Sequence, residues 1–438
     1  MPPRADAEAW AEAAAAARLQ ARQFTATYPN DTRGLEADAS LSMAMSDDDG
    51  VDAAFAALMA LAPEKTSGGL AWAEYWAARD TARSVHVLER LLDDRPDARL
   101  YMKSLFQLLS QTEIQRLHDR MQKHAAPDAD LDRAALELDM LARTVPPLAA
   151  IHGFNILQAH PDHLDLRIAT ARGLRHANRF ADARRMLEAI EPPLQDPGHV
   201  YLWSDVCYAD HDFVRALRLL ESIDLEAIET SRPGLHRRLN FMLPVRREAV
   251  DSWPDELVLR ASEAKRGANP LARMQIEGQE VMVELFEDTA PNTVANFIAA
   301  ADLGIFDGYE AGQVHTGFRT IMGGRHDGDG LPTWTIPDEH ESMEARPIVS
   351  GSLVAYRTSR PASGDTEFFV LHFPAPHLNT LRTTFGRVLS GLDVIRGMEQ
   401  GDEVDSIEIL RRREHAYDPT VLDEAGVEMR LSELLQAR

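Results

Sequence analysis

The chain has little cysteine, no long apolar run and no excess of positive charge. Its single cysteine, Cys207, cannot form an internal disulfide, which fits a reducing compartment. No stretch approaches the length of a transmembrane helix. The Ala-rich start is interrupted by Asp6, Glu8, Glu12, Arg18 and Arg22, and lacks the basic and apolar regions of a secretory signal. A soluble cytoplasmic protein with no membrane partner is expected. The formal net charge of −24 argues against a nucleic-acid partner, because phosphate binding needs a local Lys/Arg excess. It reads as an acidic, well-solvated surface.

With 438 residues, the chain has room for two or three domains. Residues 1–245 are rich in Ala, Leu, Arg and Glu, which favour helix. Prolines stand at Pro29, Pro63, Pro96, Pro127, Pro161, Pro197 and Pro233, with gaps of 34, 33, 31, 34, 36 and 36. Proline suits the turn between repeats, because it ends one helix and can open the next. Phe180, Ala183 and Leu187 recur as Phe213, Ala216 and Leu220, 33 residues on. A period near 34 is that of a helix–turn–helix repeat. The region resembles tetratricopeptide repeats, without their full consensus, and implies an α-solenoid whose concave face binds a protein partner. Trp72, Tyr75 and Trp76 read as core. His152, His160 and His163 have no metal-ligand pattern.

Residues 246–270 read as a last helix and a linker, broken at Gly267, Asn269 and Pro270. The period then changes to two. Met274, Ile276, Val281, Val283 and Leu285 alternate with polar residues across Glu277-Gly278-Gln279, a tight hairpin. Asp288 or Thr289 can N-cap the helix that follows, with Pro291 in its first turn. Phe368, Val370 and His372 alternate with Phe369, Leu371 and Phe373 as a strand, and Thr383 to Val388 forms another. Gly391–Gln400 is a second helix.

These elements carry ordered motifs: Ala290-Pro291-Asn292-Thr293-Val294-Ala295-Asn296-Phe297, Met322-Gly323-Gly324, Ile336-Pro337-Asp338-Glu339, Gly351 to Thr358, Thr366-Glu367-Phe368-Phe369-Val370, Pro376-His377-Leu378 and Phe385-Gly386-Arg387-Val388. In that order they resemble a cyclophilin-type peptidyl-prolyl isomerase across residues 271–412, leaving 413–438 as a tail with a short helix. The resemblance implies an eight-stranded antiparallel β-barrel with capping helices, joined here to the α-solenoid. It also implies X-Pro bonds of protein clients as substrate, a part in protein folding, and no metal or cofactor.

Amide resonance makes X-Pro rotation slow, with a barrier of about 18–20 kcal/mol. A catalyst has only to hold the twisted amide better than the planar one. An apolar pocket for the proline ring and one hydrogen-bond donor suffice. By resemblance, Phe369, Leu378 and Met322 are pocket walls, and His377 stands at the rim. Arg382 and Tyr356 border the pocket, and Glu367 replaces a glutamine that bonds the substrate backbone. The family's donor is an arginine, and that position here is Thr316 or Val314. Arg319 is the nearest substitute, yet strand alternation sets it on the opposite face from either. The sequence therefore predicts weakened isomerase activity, or alternatively a non-catalytic scaffold that binds proline peptides. A third possibility makes the helical part the working one and the barrel a cap. His326, Asp327 and Asp329 match no full metal motif and read as a solvated turn.

Overall fold

The structure, a computed structural model, describes residues 4–190, 194–315, 317–323, 331–340 and 346–437. Thr316 and the His326–Asp327–Asp329 turn therefore lie outside the described residues. The chain divides into two compact units, Met1–Gly173 and Leu174–Arg438.

The first unit is helical. Helices Thr32–Met45 and Asp48–Leu61, Thr66–Ala77 and Thr81–Asp94, and Leu131–Thr144 and Pro146–Ala159 form successive hairpins. Aspartates begin four of these six helices: the side chains of Asp31, Asp47, Asp80 and Asp130 each accept a hydrogen bond from a first-turn amide. Each satisfies an N–H that the helix itself leaves unpaired. Pro29, Pro63, Pro96, Pro127 and Pro161 stand in turns between helices. Trp72, Tyr75 and Trp76 are buried in one core with Phe55 and Leu88.

The second unit begins with helices as well. In Phe180–Glu188 and Phe213–Glu221, the buried residues are the repeated Phe, Ala and Leu of each segment. Pro197 and Pro233 open helices Pro197–Ala209 and Pro233–Arg266. The stretch 246–266 continues the latter helix, which stops at Gly267 in the left-handed region. Cys207 is buried, and burial pushes its thiol up to about 11, so it is inert. Among the described residues, no helix is long and apolar enough to cross a membrane.

Among the described residues nine strands follow: β1 Leu271–Ile276, β2 Gln279–Leu285, β3 Tyr309–Glu310, β4 Gln313–His315, β5 Arg319–Met322, β6 Ser352–Ala355, β7 Phe368–Leu371, β8 Thr384–Ser390 and β9 Glu403–Arg411. They make one antiparallel sheet in the order β3-β9-β1-β2-β8-β6-β7-β5-β4. The sheet curls into a half-barrel, in keeping with the β-barrel fold expected, with nine strands in the sheet where eight were expected. Two more strands in the tail, β10 Thr420–Leu422 and β11 Glu428–Arg430, pair with each other. The tail is thus more than a short helix, and its Val421 and Leu431 join the core inside the curl.

The β1–β2 turn is Glu277-Gly278, both at positive φ, the geometry that matches strand twist in a two-residue hairpin. Helix Pro291–Asp302 is capped differently from the expectation. Glu339 accepts from the Asn292 amide at 2.9 Å and the Thr293 amide at 2.7 Å. This distant carboxylate does the work assigned to Asp288 or Thr289, and it also favours the positive end of the helix dipole.

Two cores lie on the two faces of the sheet. Met274, Val283, Phe297, Met322, Phe368 and Phe385 fill the inside of the curl. Ile321, Ile348, Val354, Phe369, Leu371 and Ala375 form the other, with Phe318, Tyr356 and Leu378 packed against them. Gly323, at φ +74, closes the approach of β5 to β7: a Cβ there would lie 2.6 Å from the Thr366 carbonyl.

Candidate functional site

Strand alternation decides which side chains share the Phe369 face. In the β5–β7 ladder Ile321 is opposite Phe369, and Arg319 is opposite Leu371. These four side chains point to one face. Met322, opposite Phe368, points into the curl and is fully buried there. Met322 is therefore not a wall of the Phe369 cluster, and Ile321 takes that place.

Arg319 also departs from the expectation. Its guanidinium carbon lies 4.8 Å from the Phe369 ring centroid, 5.3 Å from that of Phe318 and 5.9 Å from that of Tyr356. Cation–π attraction favours this arrangement. β4 and β5 are separate strands of a hairpin, with Val314 opposite Thr320 and His315 opposite Arg319. Val314 packs against the core inside the curl. Val314 and Arg319 do face opposite sides, but Arg319 is the one on the side of Phe369. Its Nε is buried without a hydrogen-bond partner among the described residues. Burial lowers its pKa.

The rest of the set surrounds this pair. Leu378, in the short 3-10 turn Pro376–Leu378, is half-buried against the Phe369 cluster. His377 is exposed, and its ring stacks on Phe318 at 6.2 Å. Tyr356 is half-buried, and its amide donates to the Glu367 carbonyl at 3.0 Å. Arg382 and Arg357 both donate to the Thr358 carbonyl, at 3.3 and 3.2 Å. Burial lowers the Arg382 pKa, and the charges of Arg357 and Arg319 lower it further. The Phe369 ring itself is fully buried beneath these neighbours. Arg357, Phe318 and Ile321 were not anticipated; the period-two pattern of β5 and β7 could have indicated Ile321.

Burial, with the nearby charge of Asp365, raises the Glu367 carboxyl above its ordinary range. A carboxyl whose folded pKa exceeds its unfolded one supports the fold below the ordinary carboxylate pKa. That support is lost as pH rises through the raised value. Glu367→Gln should therefore gain thermal stability relative to the parent between pH 4 and pH 7. Parallel melting curves across that range would refute this reading.

The family model for "Cyclophilin type peptidyl-prolyl cis-trans isomerase/CLD" matches residues 271–416. Over 134 residues the chain is 35% identical to peptidyl-prolyl cis-trans isomerase B of Bacillus subtilis, covering 30% of this chain and 92% of that protein. It is 34% identical over 142 residues to the peptidyl-prolyl cis-trans isomerase of Synechococcus elongatus, covering 32% and 95%. Through these residues the chain belongs to the cyclophilin-type peptidyl-prolyl cis-trans isomerase family. Among solved structures, cyclophilin AquaCyp293 from Hirschia baltica is 19% identical with a TM-score of 0.29, covering 35% of this chain and 78% of that one. A Cryptosporidium parvum cyclophilin-type isomerase, solved in the presence of the dipeptide ala-pro, is 20% identical with a TM-score of 0.29, covering 32% and 99%.

Proposed function

We propose that residues 271–416 isomerise X-Pro bonds of protein clients at the Phe369 face, as a protein-folding activity. The proline ring packs on Phe369, Ile321 and Leu378, with Tyr356, His377 and Glu367 at the rim. Arg319 serves as the donor that stabilises the twisted amide. One observation carries this reading: the Arg319 guanidinium lies 4.8 Å over the Phe369 ring, and its buried Nε has no hydrogen-bond partner among the described residues. Neither Thr316 nor Val314 can supply the family's arginine. Arg319 reaches the face from a different backbone position, so the rate is below that of a relative with the arginine in place. Arg382 adds positive charge beside the donor.

The burial of Phe369 favours a second reading, in which the face is closed and both parts of the chain serve as a scaffold. On the first reading, Phe318 and Tyr356 move aside as the client enters. The helical repeats, read as a solenoid, present a further surface to a protein partner, and the chain acts in the cytoplasm.

Exchange NMR on a proline peptide with the full chain tests these alternatives. Cis-trans exchange is expected to be faster than the uncatalysed rate and slower than with the B. subtilis relative assayed in parallel. Turnover equal to that relative would refute the loss of donor position. Binding without faster exchange would leave the scaffold reading.

A further inference from the structure

We propose that Asn178 is a positioning residue for the isomerase site, holding the turn between β4 and β5 and with it Arg319. This rests on the proposed role of Arg319. Asn178 lies in the connection between helices Leu164–His176 and Phe180–Glu188. It has φ 62, a left-handed conformation that Asn tolerates better than most residues. It is buried, and both ends of its side-chain amide are used. Its Oδ1 accepts from the Gly317 amide at 2.6 Å, and its Nδ2 donates to the Arg396 carbonyl at 3.0 Å. Both partners are backbone groups of the isomerase domain, 139 and 218 residues away. Asn178 thus holds the shape of the chain rather than any particular side chain.

The same two helices, with helix Pro197–Ala209, also grip this end of the β5–β7 pair from the β7 side. The Phe373 ring, just beyond β7, lies 6.2 Å from Phe180 and 5.6 Å from Tyr208, with the Arg175 guanidinium 5.1 Å from its centroid. Arg396 stacks over Phe180 at 4.6 Å and donates to the His372 carbonyl at 2.9 Å. The His372 ring is 2.8 Å from the Thr320 hydroxyl, next to Arg319. Arg319 and Leu371 are cross-strand partners, so Gly317 and His372–Phe373 flank the point where the Arg319 side chain leaves the sheet. Gly317 itself has φ +77, and a Cβ there would lie 3.3 Å from an Arg175 nitrogen. The turn therefore fits this surface closely. Without the Asn178 carbonyl, the Gly317 amide loses the acceptor that fixes the turn. The Arg319 guanidinium, at the end of a long flexible side chain, is then free to leave Phe369. Positional errors of about 1 Å at a reacting group can cost on the order of a hundredfold in rate.

Two substitutions in the full chain separate positioning from folding. Asn178→Gly removes both hydrogen bonds but relieves the left-handed backbone, so the fold is not penalised by conformation. Asn178→Asp keeps the acceptor for Gly317. We expect Asn178→Gly to speed amide hydrogen exchange across residues 313–323 and to lower kcat on a proline peptide on the order of tenfold, with KM and melting temperature little changed. Asn178→Asp should keep slow exchange and most of the rate. Wild-type exchange in Asn178→Gly would overturn the proposal. So would faster exchange throughout residues 174–437 together with a large fall in melting temperature, which would indicate a purely structural role. If the parent turns over no peptide yet Asn178→Gly still loosens 313–323, the catalytic reading fails and the hold on the turn stands.

Discussion

Arg319→Ala should lower kcat/KM for an X-Pro peptide by on the order of a hundredfold, the usual effect of removing a single transition-state donor. The partial double bond of the amide is lost as it twists, and the proline nitrogen gains a lone pair. A donor aimed at the twisted amide binds it more strongly than the planar one, and only that difference accelerates rotation. Arg319 is suited to this because its guanidinium is held over Phe369 and its Nε bonds to nothing among the described residues. Arg319→Lys should recover part of the rate, since charge remains while the planar fork is lost. The decisive comparison is the split between kcat and KM. If the donor acts only in the transition state, kcat falls and KM holds. If Arg319 merely covers Phe369, Arg319→Ala opens the face, KM falls and kcat does not. That result would favour the scaffold. Melting temperature should change little, because Arg319 is only half-buried and its Nε makes no hydrogen bond among the described residues.

What could be read from the sequence was whatever a local period carries. The β1–β2 hairpin follows from alternation about Glu277-Gly278, and β7 from alternation through Phe368 and Phe369. The buried faces of helices Phe180–Glu188 and Phe213–Glu221 follow from a repeated Phe, Ala and Leu. What could not be read depended on register or on distant partners. A register shift of one residue moves a side chain to the other face of a sheet, so Met322 and Ile321 exchange roles with no change in composition. Arg319 could not be placed by counting from Val314 alone, because the face of Phe369 is fixed by β7, some 50 residues further on. The Glu339 cap on helix Pro291–Asp302 and the Asn178 hold on Gly317 join residues 47 and 139 apart. Neither leaves a local sequence signal. The division of the chain into units was equally hidden. Helices from Leu174 onward share a compact unit with the sheet, although their composition continues that of the repeats before them.

Arg346→Met should destabilise the second unit by about 3–5 kcal/mol, the usual cost of removing one partner from a buried ion pair. For a unit of this size, that is a fall in melting temperature of about 10 °C. Arg346 is almost wholly buried, and it joins helix Pro233–Arg266 to the sheet domain. Its Nε and Nη2 donate to Glu256 at 2.7 and 2.8 Å, and its Nη1 donates to Glu263 at 2.7 Å. The guanidinium also stacks on Phe286 at 3.9 Å. Burial alone would raise the Glu256 carboxyl. Hydrogen bonds and charge from Arg346 and Arg260 outweigh it and hold that carboxyl below the ordinary range. In the parent, this group therefore adds stability above the ordinary carboxylate pKa and loses it as pH falls. In Arg346→Met, burial acts with less compensation, and the strain of a charged Glu256 is relieved by protonation. The gap in melting temperature between parent and variant should narrow from pH 7 to pH 5, and a constant gap would assign the loss to packing instead. Adding Glu256→Gln and Glu263→Gln should recover at least half of the loss at pH 7, because neutral amides escape most of the desolvation cost. The site depends on this anchor as well. Two residues on, the Ile348 amide donates to the Asn379 side chain and its carbonyl accepts from Ala375, both at 2.9 Å. Ile348 and Ala375 belong to the cluster around Phe369. Loosening Arg346 should therefore weaken proline-peptide binding as well as the fold, even though Arg346 pairs with the helix and not with the Phe369 cluster.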